Sequence, residues 1–259
     1  MITINYKGRL GNNLTQYAAG YILASKTGLH LSTLPVSNYK KNTKTWFHKN
    51  FPLKLEYINF EKIIHNQLPK GLMYEKSIEL NDSNYYHYLN SPEPGTGYKL
   101  NGFFQDSRLL CDHRDEILDL YQYNNTPETN ISQNDALVAC RLGDCLLKSN
   151  VTFCTTEYIE NQLKINRHNY RNIYLTSDSL DYPPLVKLID KYNITPYNND
   201  PLKTILFAKN FNNLVLSAGS FSYWMAYLSQ ATNITVYNAN DPLQQQNAWD
   251  YNKNVKFSL

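Results

Sequence analysis

Three short polar clusters in the C-terminal half carry side chains that could bind a phosphorylated ligand. The first is Arg141-Leu142-Gly143-Asp144. The planar guanidinium of Arg141 has the donor geometry that suits a diphosphate, and Gly143 permits a tight turn. The same spacing also fits a structural ion pair between Arg141 and Asp144, and the residues alone leave both interpretations open.

The second cluster is Thr176-Ser177-Asp178-Ser179. Its carboxylate, Asp178, could accept hydrogen bonds from the amino and imino groups of a guanine or from the hydroxyls of a ribose. Asp and Ser after a strand are also ordinary N-cap residues of a following helix, and without other evidence capping is the more common explanation.

The third cluster runs from Ser217 to Trp224, where small residues lead into a predicted helix. The first backbone amides of that helix, from Ser220 to Ser222, could bind phosphate oxygens. A simple serine N-cap would give the same pattern, and the helical spacing of Phe221 and Trp224 is more typical of core packing than of ligand stacking.

A fourth candidate, Gly8-Arg9-Leu10-Gly11-Asn12-Asn13, is a loop predicted between a strand and a helix near the N-terminus. It lacks the G-x-G-x-x-G spacing, and the chain has no P-loop and no G-x-S-x-G elbow, which disfavours dehydrogenases, P-loop NTPases and α/β hydrolases. The chain also has no Asp-x-Asp triplet to hold a cation at a diphosphate, so we expect no metal. A magnesium ion carried by Asp178 and Asp181 is the alternative.

The elements that must position these clusters are predicted from hydrophobic periodicity. The N-terminal half has predicted strands at residues 2–6 and 98–105, predicted helices at 14–26 and 107–121, and no assignable pattern between 35 and 97. The C-terminal half has predicted strands at 136–140, 172–176, 214–217 and 234–237, which alternate with predicted helices at 156–163, 185–191, 202–209 and 221–229. Such alternation predicts an α/β fold with a parallel sheet, and the three C-terminal clusters fall at the carboxyl ends of strands, where such sheets bind ligands.

The chain length and one polar segment suggest two domains. The chain has 259 residues, enough for two modest domains, and residues 124–134 are polar without aromatics, as in a linker. We therefore predict an N-terminal domain over residues 1–128 and a C-terminal domain over residues 129–259.

Composition excludes several functions. The net charge of +3 is spread along the chain rather than concentrated in a basic stripe, which argues against nucleic acid as a partner. The four cysteines lack zinc spacing, and no signal peptide or apolar run long enough to cross a membrane is evident. These features predict a cytoplasmic protein with reduced thiols.

Taken in order, five segments resemble motifs of the α-1,2 and α-1,6 fucosyltransferase superfamily, which includes the protein O-fucosyltransferases. The stretch from Gly8 to Ala18 is similar to G-G-L-G-N-Q-x-x-Q-Y-A, and Leu100 to Gln105 is similar to L-x-G-Y-F-Q. Arg141 to Asp144 matches the end of H-x-R-x-G-D, Leu175 to Ser179 resembles S-D-D or T-D-S, and Ser220 to Trp224 resembles T-F-S-W-W. The chain departs from these motifs at Asn13, Ala139, Ser179 and Tyr223.

The resemblance implies a GT-B fold, in which two Rossmann-like domains face each other across an active cleft. The domain over residues 1–128, with the glycine loop, would then lie on the acceptor side, and the domain over residues 129–259 would bind the nucleotide sugar. It also implies inverting, metal-independent transfer of fucose from GDP-fucose to a glycan acceptor, with no cofactor besides the donor. Gly11 and Asn12 would then lie in the cleft, Asn12 bonding sugar or phosphate. Arg141 would hold the β-phosphate and stabilise the leaving GDP, while Asp178 and the turn formed by Ser220, Phe221 and Ser222 would hold guanosine and phosphate.

Two alternatives follow from the departures. The same fold could use another nucleotide sugar, such as a UDP-pentose, or the chain could be a non-catalytic module that binds glycan or nucleotide. No carboxylate stands out as the general base, and Asp106, next to the Phe103 to Gln105 match, is a weak candidate.

Overall fold

The computed structural model describes residues 1–32, 76–121, 131–143, 154–229, 231–238 and 255–258. These residues belong to two compact units, the first ending before residue 125 and the second beginning with the residues that follow it. The predicted domain boundary, after residue 128, lies outside the described residues, as does most of the predicted linker.

The first unit contains a four-stranded, all-parallel sheet with strand order β2-β1-β4-β3. Its strands are β1 (Ile2–Ile4), β2 (Leu31–Ser32), β3 (Ser77–Leu80) and β4 (Gly97–Leu100). Its helices are α1 (Leu10–Thr27), α2 (Tyr85–Asn90), α3 (Ser107–Asp112) and α4 (Arg114–Leu120). The unassigned stretch from 35 to 97 thus contains β3, α2 and the first residue of β4 within its described part.

Helix α1 packs closely on this sheet where small residues form part of its buried face. A Cβ atom on Gly20 would lie 2.7 Å from Ile4 Cδ1, so a larger residue there would require the Ile4 side chain to move. Ala18 and Ala19 beside it are fully buried. The helix ends at Gly28, whose φ of +67° is the left-handed conformation that closes many helices.

Three predicted elements of this unit were wrong in their bounds. Helix α1 begins at Leu10 rather than at residue 14, so Gly11 and Asn12 lie in its first turn and not in a loop. Strand β4 ends at Leu100, so the residues from 101 to 105 form a loop instead of a strand. The helix predicted at 107–121 is divided into α3 and α4 at His113.

The second unit contains a six-stranded, all-parallel sheet with strand order β10-β9-β8-β5-β6-β7. Its strands are β5 (Ala136–Cys140), β6 (Ile173–Ser177), β7 (Thr195–Pro196), β8 (Asn213–Leu216), β9 (Asn233–Tyr237) and β10 (Val255–Ser258). Its helices are α5 (Thr156–Asn166), α6 (Pro183–Tyr192), α7 (Pro201–Ala208) and α8 (Ser220–Tyr227), and a short 3₁₀ turn spans Arg167–Asn169. The prediction of an α/β fold with parallel sheets is confirmed.

Strand β5 lies in the middle of this sheet and is buried along its whole length. A continuous apolar run of this kind is typical of a parallel strand covered on both faces. The chain runs from β5 outward to β6 and β7, then returns to place β8 on the other side of β5. This is the strand order of a dinucleotide-binding Rossmann sheet, and the direction reverses between β5 and β8.

Candidate functional site

The direction reversal between β5 and β8 is the place where doubly wound sheets bind their ligands, at the carboxyl ends of the two strands. Arg141 follows β5 directly and is half-buried. Helix α8 follows β8 after a three-residue turn. The amide of Ser217 donates to the carbonyl of Ala139 at 2.8 Å, which holds the two strand ends side by side. The structure therefore places Arg141 and the start of α8 after adjacent strands of one sheet.

The start of α8 is shaped by Gly219, which has a φ of +106° that side-chain-bearing residues rarely adopt. Ser220 and Phe221 in the first turn are half-buried, whereas Trp224 is completely buried, as the helical spacing predicted. Backbone amides in the first turn of a helix have no carbonyl one turn earlier within the helix, and they favour anions. This turn has the geometry of a phosphate-binding helix start.

Ser222 contributes to the turn through its side chain. It is buried, and its hydroxyl lies 2.9 Å from the hydroxyl of Ser217. This pair ties the first turn of α8 to the end of β8. The part of Ser222 suited to binding a ligand is therefore its backbone amide, while its hydroxyl supports the turn.

Asp178 binds the turn that follows Arg141. Its Oδ1 accepts hydrogen bonds from the amides of Leu142 and Gly143, both at 2.9 Å. A Cβ atom on Gly143 would lie 2.7 Å from Asp178 Oδ2, so glycine is required for this approach. The helix-capping interpretation of Asp178 is wrong, because the N-cap of the next helix is Tyr182.

Ser179, beside Asp178, was not predicted as a site residue. It is buried, its amide donates to Ser177 Oγ at 3.0 Å, and its own hydroxyl has no hydrogen-bond partner in the structure. Buried hydroxyls in proteins nearly always have a partner, so this one is a candidate for contact with a bound molecule. Its departure from the family motif was the only sequence signal at this position.

In the first unit, the Gly8–Asn13 stretch is bound to the loop after β4. Gly8 has a φ of +75°, and a Cβ atom there would collide with the Asn12 side chain. Asn12 Oδ1 accepts a hydrogen bond from Gln105 Nε2 at 2.7 Å. The first two motifs of the sequence are thus brought together at the carboxyl ends of β1 and β4.

Gln16, which is completely buried, also joins the Gly8–Asn13 region to the loop after β4. Its Oε1 accepts from the Lys7 amide at 3.1 Å and from Asn13 Nδ2 at 3.2 Å, while its Nε2 donates to the Gly102 carbonyl at 2.9 Å. Asn13 also donates to the Lys7 carbonyl at 3.0 Å. These bonds explain why poor helix formers occupy the first turn of α1, because tertiary hydrogen bonds outweigh local propensity.

Asp82, which follows β3, was missed by the sequence analysis. Its carboxylate accepts hydrogen bonds from the backbone amides of Phe103, at 3.1 Å, and Phe104. A Cβ atom on Gly102 would lie 2.7 Å from Asp82 Oδ2. A lone aspartate 21 and 22 residues from its partners carries no sequence signal.

Asp106 is poorly suited to act as a general base. It is the N-cap of α3 and accepts the Arg108 amide at 2.9 Å. Its side chain also pairs with the Arg108 guanidinium at 2.6 Å. The hydrogen bonds from Arg108 lower the pKa of Asp106 below its ordinary value, and a general base near neutral pH needs the opposite shift.

The described residues bear on two further interpretations, a metal cluster and a membrane-spanning helix. None of them form a group of three or more histidine, cysteine or acidic side chains suited to a metal. Asp144, the proposed ion-pair partner of Arg141, lies outside the described residues. Within the same part of the chain no helix has the length and apolarity needed to cross a membrane.

The order and parallel direction of its strands define the second unit as a Rossmann-like α/β sheet. The family model Glycosyl transferase family 11 matches residues 1–257, so the chain belongs to that family, which comprises α-1,2-fucosyltransferases. The resemblance drawn from the sequence motifs is therefore confirmed at the level of the family.

One curated relative is similar over part of its length. An Escherichia coli protein named O-antigen biosynthesis glycosyltransferase WbnK is 28% identical over 141 residues. The match covers 45% of this chain and 46% of the relative, so the two are aligned over less than half of either protein.

Proposed function

We propose that this protein is an inverting glycosyltransferase that transfers fucose from GDP-fucose to a hydroxyl group of a glycan acceptor. The observation that carries the proposal is the position of Arg141 and the α8 start at the reversal point of a Rossmann-order sheet, in a chain of glycosyltransferase family 11. Both features can compensate negative charge, and a diphosphate is the charged part of a sugar nucleotide.

In the proposed reaction the acceptor oxygen attacks C1 of fucose from the side opposite the diphosphate. The bond between C1 and the β-phosphate oxygen breaks, and its electron pair leaves with GDP. Negative charge grows on that diphosphate as the bond breaks, so Arg141 and the α8 amides act where stabilisation matters most. The acceptor proton is lost to a base, and the environment of Asp106 disfavours it for that role.

We assign guanosine and phosphate contacts to the turn formed by Ser220, Phe221 and Ser222, which follows the sheet reversal. The Asp178 carboxylate supports Arg141 through the turn at Gly143. In the first unit, Gly11 and Asn12 are proposed to approach the sugar, with Asn12 held by Gln105.

We further propose that the two units form a GT-B arrangement, that no metal or additional cofactor takes part, and that the protein acts in the cytoplasm. The presence of a separate parallel sheet in each unit supports the first of these proposals. The name of the Escherichia coli relative suggests an acceptor of the kind used in O-antigen biosynthesis.

A thermal-denaturation panel with GDP, UDP and ADP tests the donor assignment. A ligand that binds only the folded protein stabilises it by about 2.7 kcal/mol at one hundred times its dissociation constant. We expect this from GDP and not from UDP or ADP. Stabilisation by UDP alone would indicate another donor, such as a UDP-pentose.

A second experiment separates catalysis from binding. Hydrolysis of GDP-fucose, or its transfer to any sugar in a glycan panel, would show an enzyme. GDP binding without either reaction would indicate the non-catalytic alternative, for which Ala139, in place of the motif histidine, is the specific observation.

A further inference from the structure

Two adjacent phenylalanines in the loop after β4 have opposite environments. Phe104 is 3% exposed, and its ring packs against Tyr85 with centroids 5.1 Å apart. Phe103 is 42% exposed. An apolar ring held at the surface costs free energy compared with a buried one, which raises the question of what it contacts.

The backbone that presents Phe103 is firmly held. Asp82 accepts the amides of both phenylalanines, and Gln16 binds the carbonyl of Gly102 at 2.9 Å. Phe104 has a φ of +55°, the left-handed region that bulky residues rarely adopt. Strained backbone of this kind persists where surrounding bonds enforce it, and such positions are concentrated at ligand sites.

Amide side chains lie two residues before and two residues after Phe103 in the chain. Gln105, two residues further on, is exposed and donates to Asn12 through its Nε2, which fixes the orientation of its amide group. Asn101, two residues before Phe103, accepts a hydrogen bond from Asn5 Nδ2 at 3.0 Å through its Oδ1 and donates to Glu79 Oε1 at 2.6 Å through its Nδ2. Amides offer both donors and acceptors, as sugar hydroxyls require.

The loop that carries Phe103 also lies where parallel sheets bind ligands. Asp82 follows β3, Phe103 follows β4, and Asn12 follows β1, and these strands are parallel neighbours. Their carboxyl ends lie at one edge of the sheet, where parallel α/β sheets bind ligands. An exposed aromatic ring in the same loop as an oriented amide suits a pyranose, which has an apolar face of C–H groups and a rim of hydroxyls.

We propose that Phe103 is a stacking platform for a hexopyranose of the acceptor glycan, with the Gln105 amide binding its hydroxyls. This inference rests on the proposed function only in naming the bound sugar as part of the acceptor. The sugar site itself is built from residues of the first unit, whereas the proposed diphosphate contacts are in the second. The negative face of the ring attracts the C–H groups of the sugar, in the same way as it attracts the positive edge of another ring.

The competing explanation is that Phe103 is one of the isolated apolar residues that protein surfaces normally carry. Phe257, on the edge strand β10 of the second unit, is 41% exposed and provides a matched control. The two side chains have the same chemistry and nearly the same exposure. They differ in position, because Phe103 lies in the loop that follows β4 of the first sheet, whereas Phe257 lies within an edge strand of the other sheet.

The test is saturation-transfer NMR on the full chain with three probes: the methyl β-glycosides of galactose, glucose and N-acetylglucosamine. We expect at least one to bind the unmodified protein and its affinity to fall about three- to tenfold in Phe103→Ala. Phe103→Trp should retain binding, because a larger aromatic face preserves stacking. Phe257→Ala should bind as the unmodified protein does.

Equal binding by Phe103→Ala, or no binding of any probe to the unmodified protein, would overturn the platform. A decrease in Phe257→Ala equal to that in Phe103→Ala would do the same. GDP binding, measured separately by thermal denaturation, tests the proposed function. Failure of GDP to bind while sugar binding still depends on Phe103 would contradict the donor assignment and leave the platform intact.

Discussion

Gly143 and Asp178 are in such close contact that neither residue can change without affecting the other. One carboxylate oxygen of Asp178 accepts the Gly143 amide at 2.9 Å, and the other leaves no space for a Cβ atom. Because Gly143 lies two residues after Arg141, this contact sets the course of the backbone that carries the guanidinium. Asp178 is thus a positioning residue in the proposed mechanism.

This contact predicts coupling between substitutions at the two positions. Gly143→Ala should lower transfer activity at least tenfold, because the new methyl group pushes against the carboxylate and displaces the turn. In an Asp178→Ala background the same substitution should add little, since the obstructing oxygens are gone. The coupling free energy should be about 1–3 kcal/mol, obtained from kcat/KM of the four proteins.

Additive effects of the two substitutions would contradict this role for Asp178. Asp178→Asn is the conservative control, because its Oδ1 can still accept both amides. It should therefore retain more activity than Asp178→Ala. Stability measured by chemical denaturation shows whether any loss arises from unfolding instead.

Substitution of Arg141 should abolish most of the activity. We expect Arg141→Lys and Arg141→Ala each to reduce transfer about a hundredfold or more, because a single ammonium does not reproduce the two-pronged guanidinium contact with a diphosphate. Steady-state kinetics with GDP-fucose measures this, with Arg171→Lys, an exposed arginine of the same unit, as control. Near-normal turnover in Arg141→Ala would contradict the diphosphate-binding role and indicate that Arg141 is only structural.

Gln16 should be required for stability rather than for chemistry. Gln16→Ala removes a fully buried side chain and leaves the buried Gly102 carbonyl and the partly buried Lys7 amide without this partner. We expect the free energy of unfolding to fall by about 2–4 kcal/mol. Gln105→Ala, at an exposed glutamine, should change it by less than about 0.5 kcal/mol. Equal effects in urea denaturation would disprove the assigned network.

Asp106 should be dispensable for the reaction near neutral pH. Hydrogen bonds from Arg108 lower its pKa, so the carboxylate is ionised there and its pairing stabilises the fold. That stabilisation is lost only as the pH falls through the lowered pKa. Asp106→Asn keeps a helix-capping oxygen, and its rate should fall by far less than the roughly hundredfold expected for loss of a general base. A pH–rate profile that loses its acid limb in this variant would refute the prediction.

Transfer should continue in excess EDTA if Arg141 and the α8 amides compensate the diphosphate charge without a cation. The rate is measured against chelator concentration, with magnesium and manganese then added back. Asp178, half of the alternative magnesium pair, already binds two backbone amides. Complete loss of activity that either ion restores would overturn the metal-free mechanism.

Much of the second unit was predictable because its information is local. The buried run of β5 and the alternation of apolar stretches with turns predicted the main strands and helices, which differ from the structure by only a few residues. The order of the motifs predicted the family, which the family model confirms. Strands β7 and β10 were missed because they are short edge strands without a buried apolar run.

Contacts between distant residues were decided only by the tertiary structure. Helix α1 starts at Leu10 although Gly11 and Asn12 have weak helix propensity. Asn13 binds the Lys7 carbonyl and Gln16 binds the Gly102 carbonyl in the loop after β4, and these hydrogen bonds outweigh that propensity.

The sequence by itself thus determined the α/β class, the family and the positions of Arg141 and the α8 start after strands. Only the tertiary structure showed that those two strands are neighbours, that Asp178 accepts the Gly143 amide, and that Asp82 accepts two backbone amides. The physical reason is the sequence separation of the interacting groups. Periodicity and turn chemistry act over a few residues, whereas these bonds join groups 21 to 36 residues apart, and only packing of the complete chain brings them together.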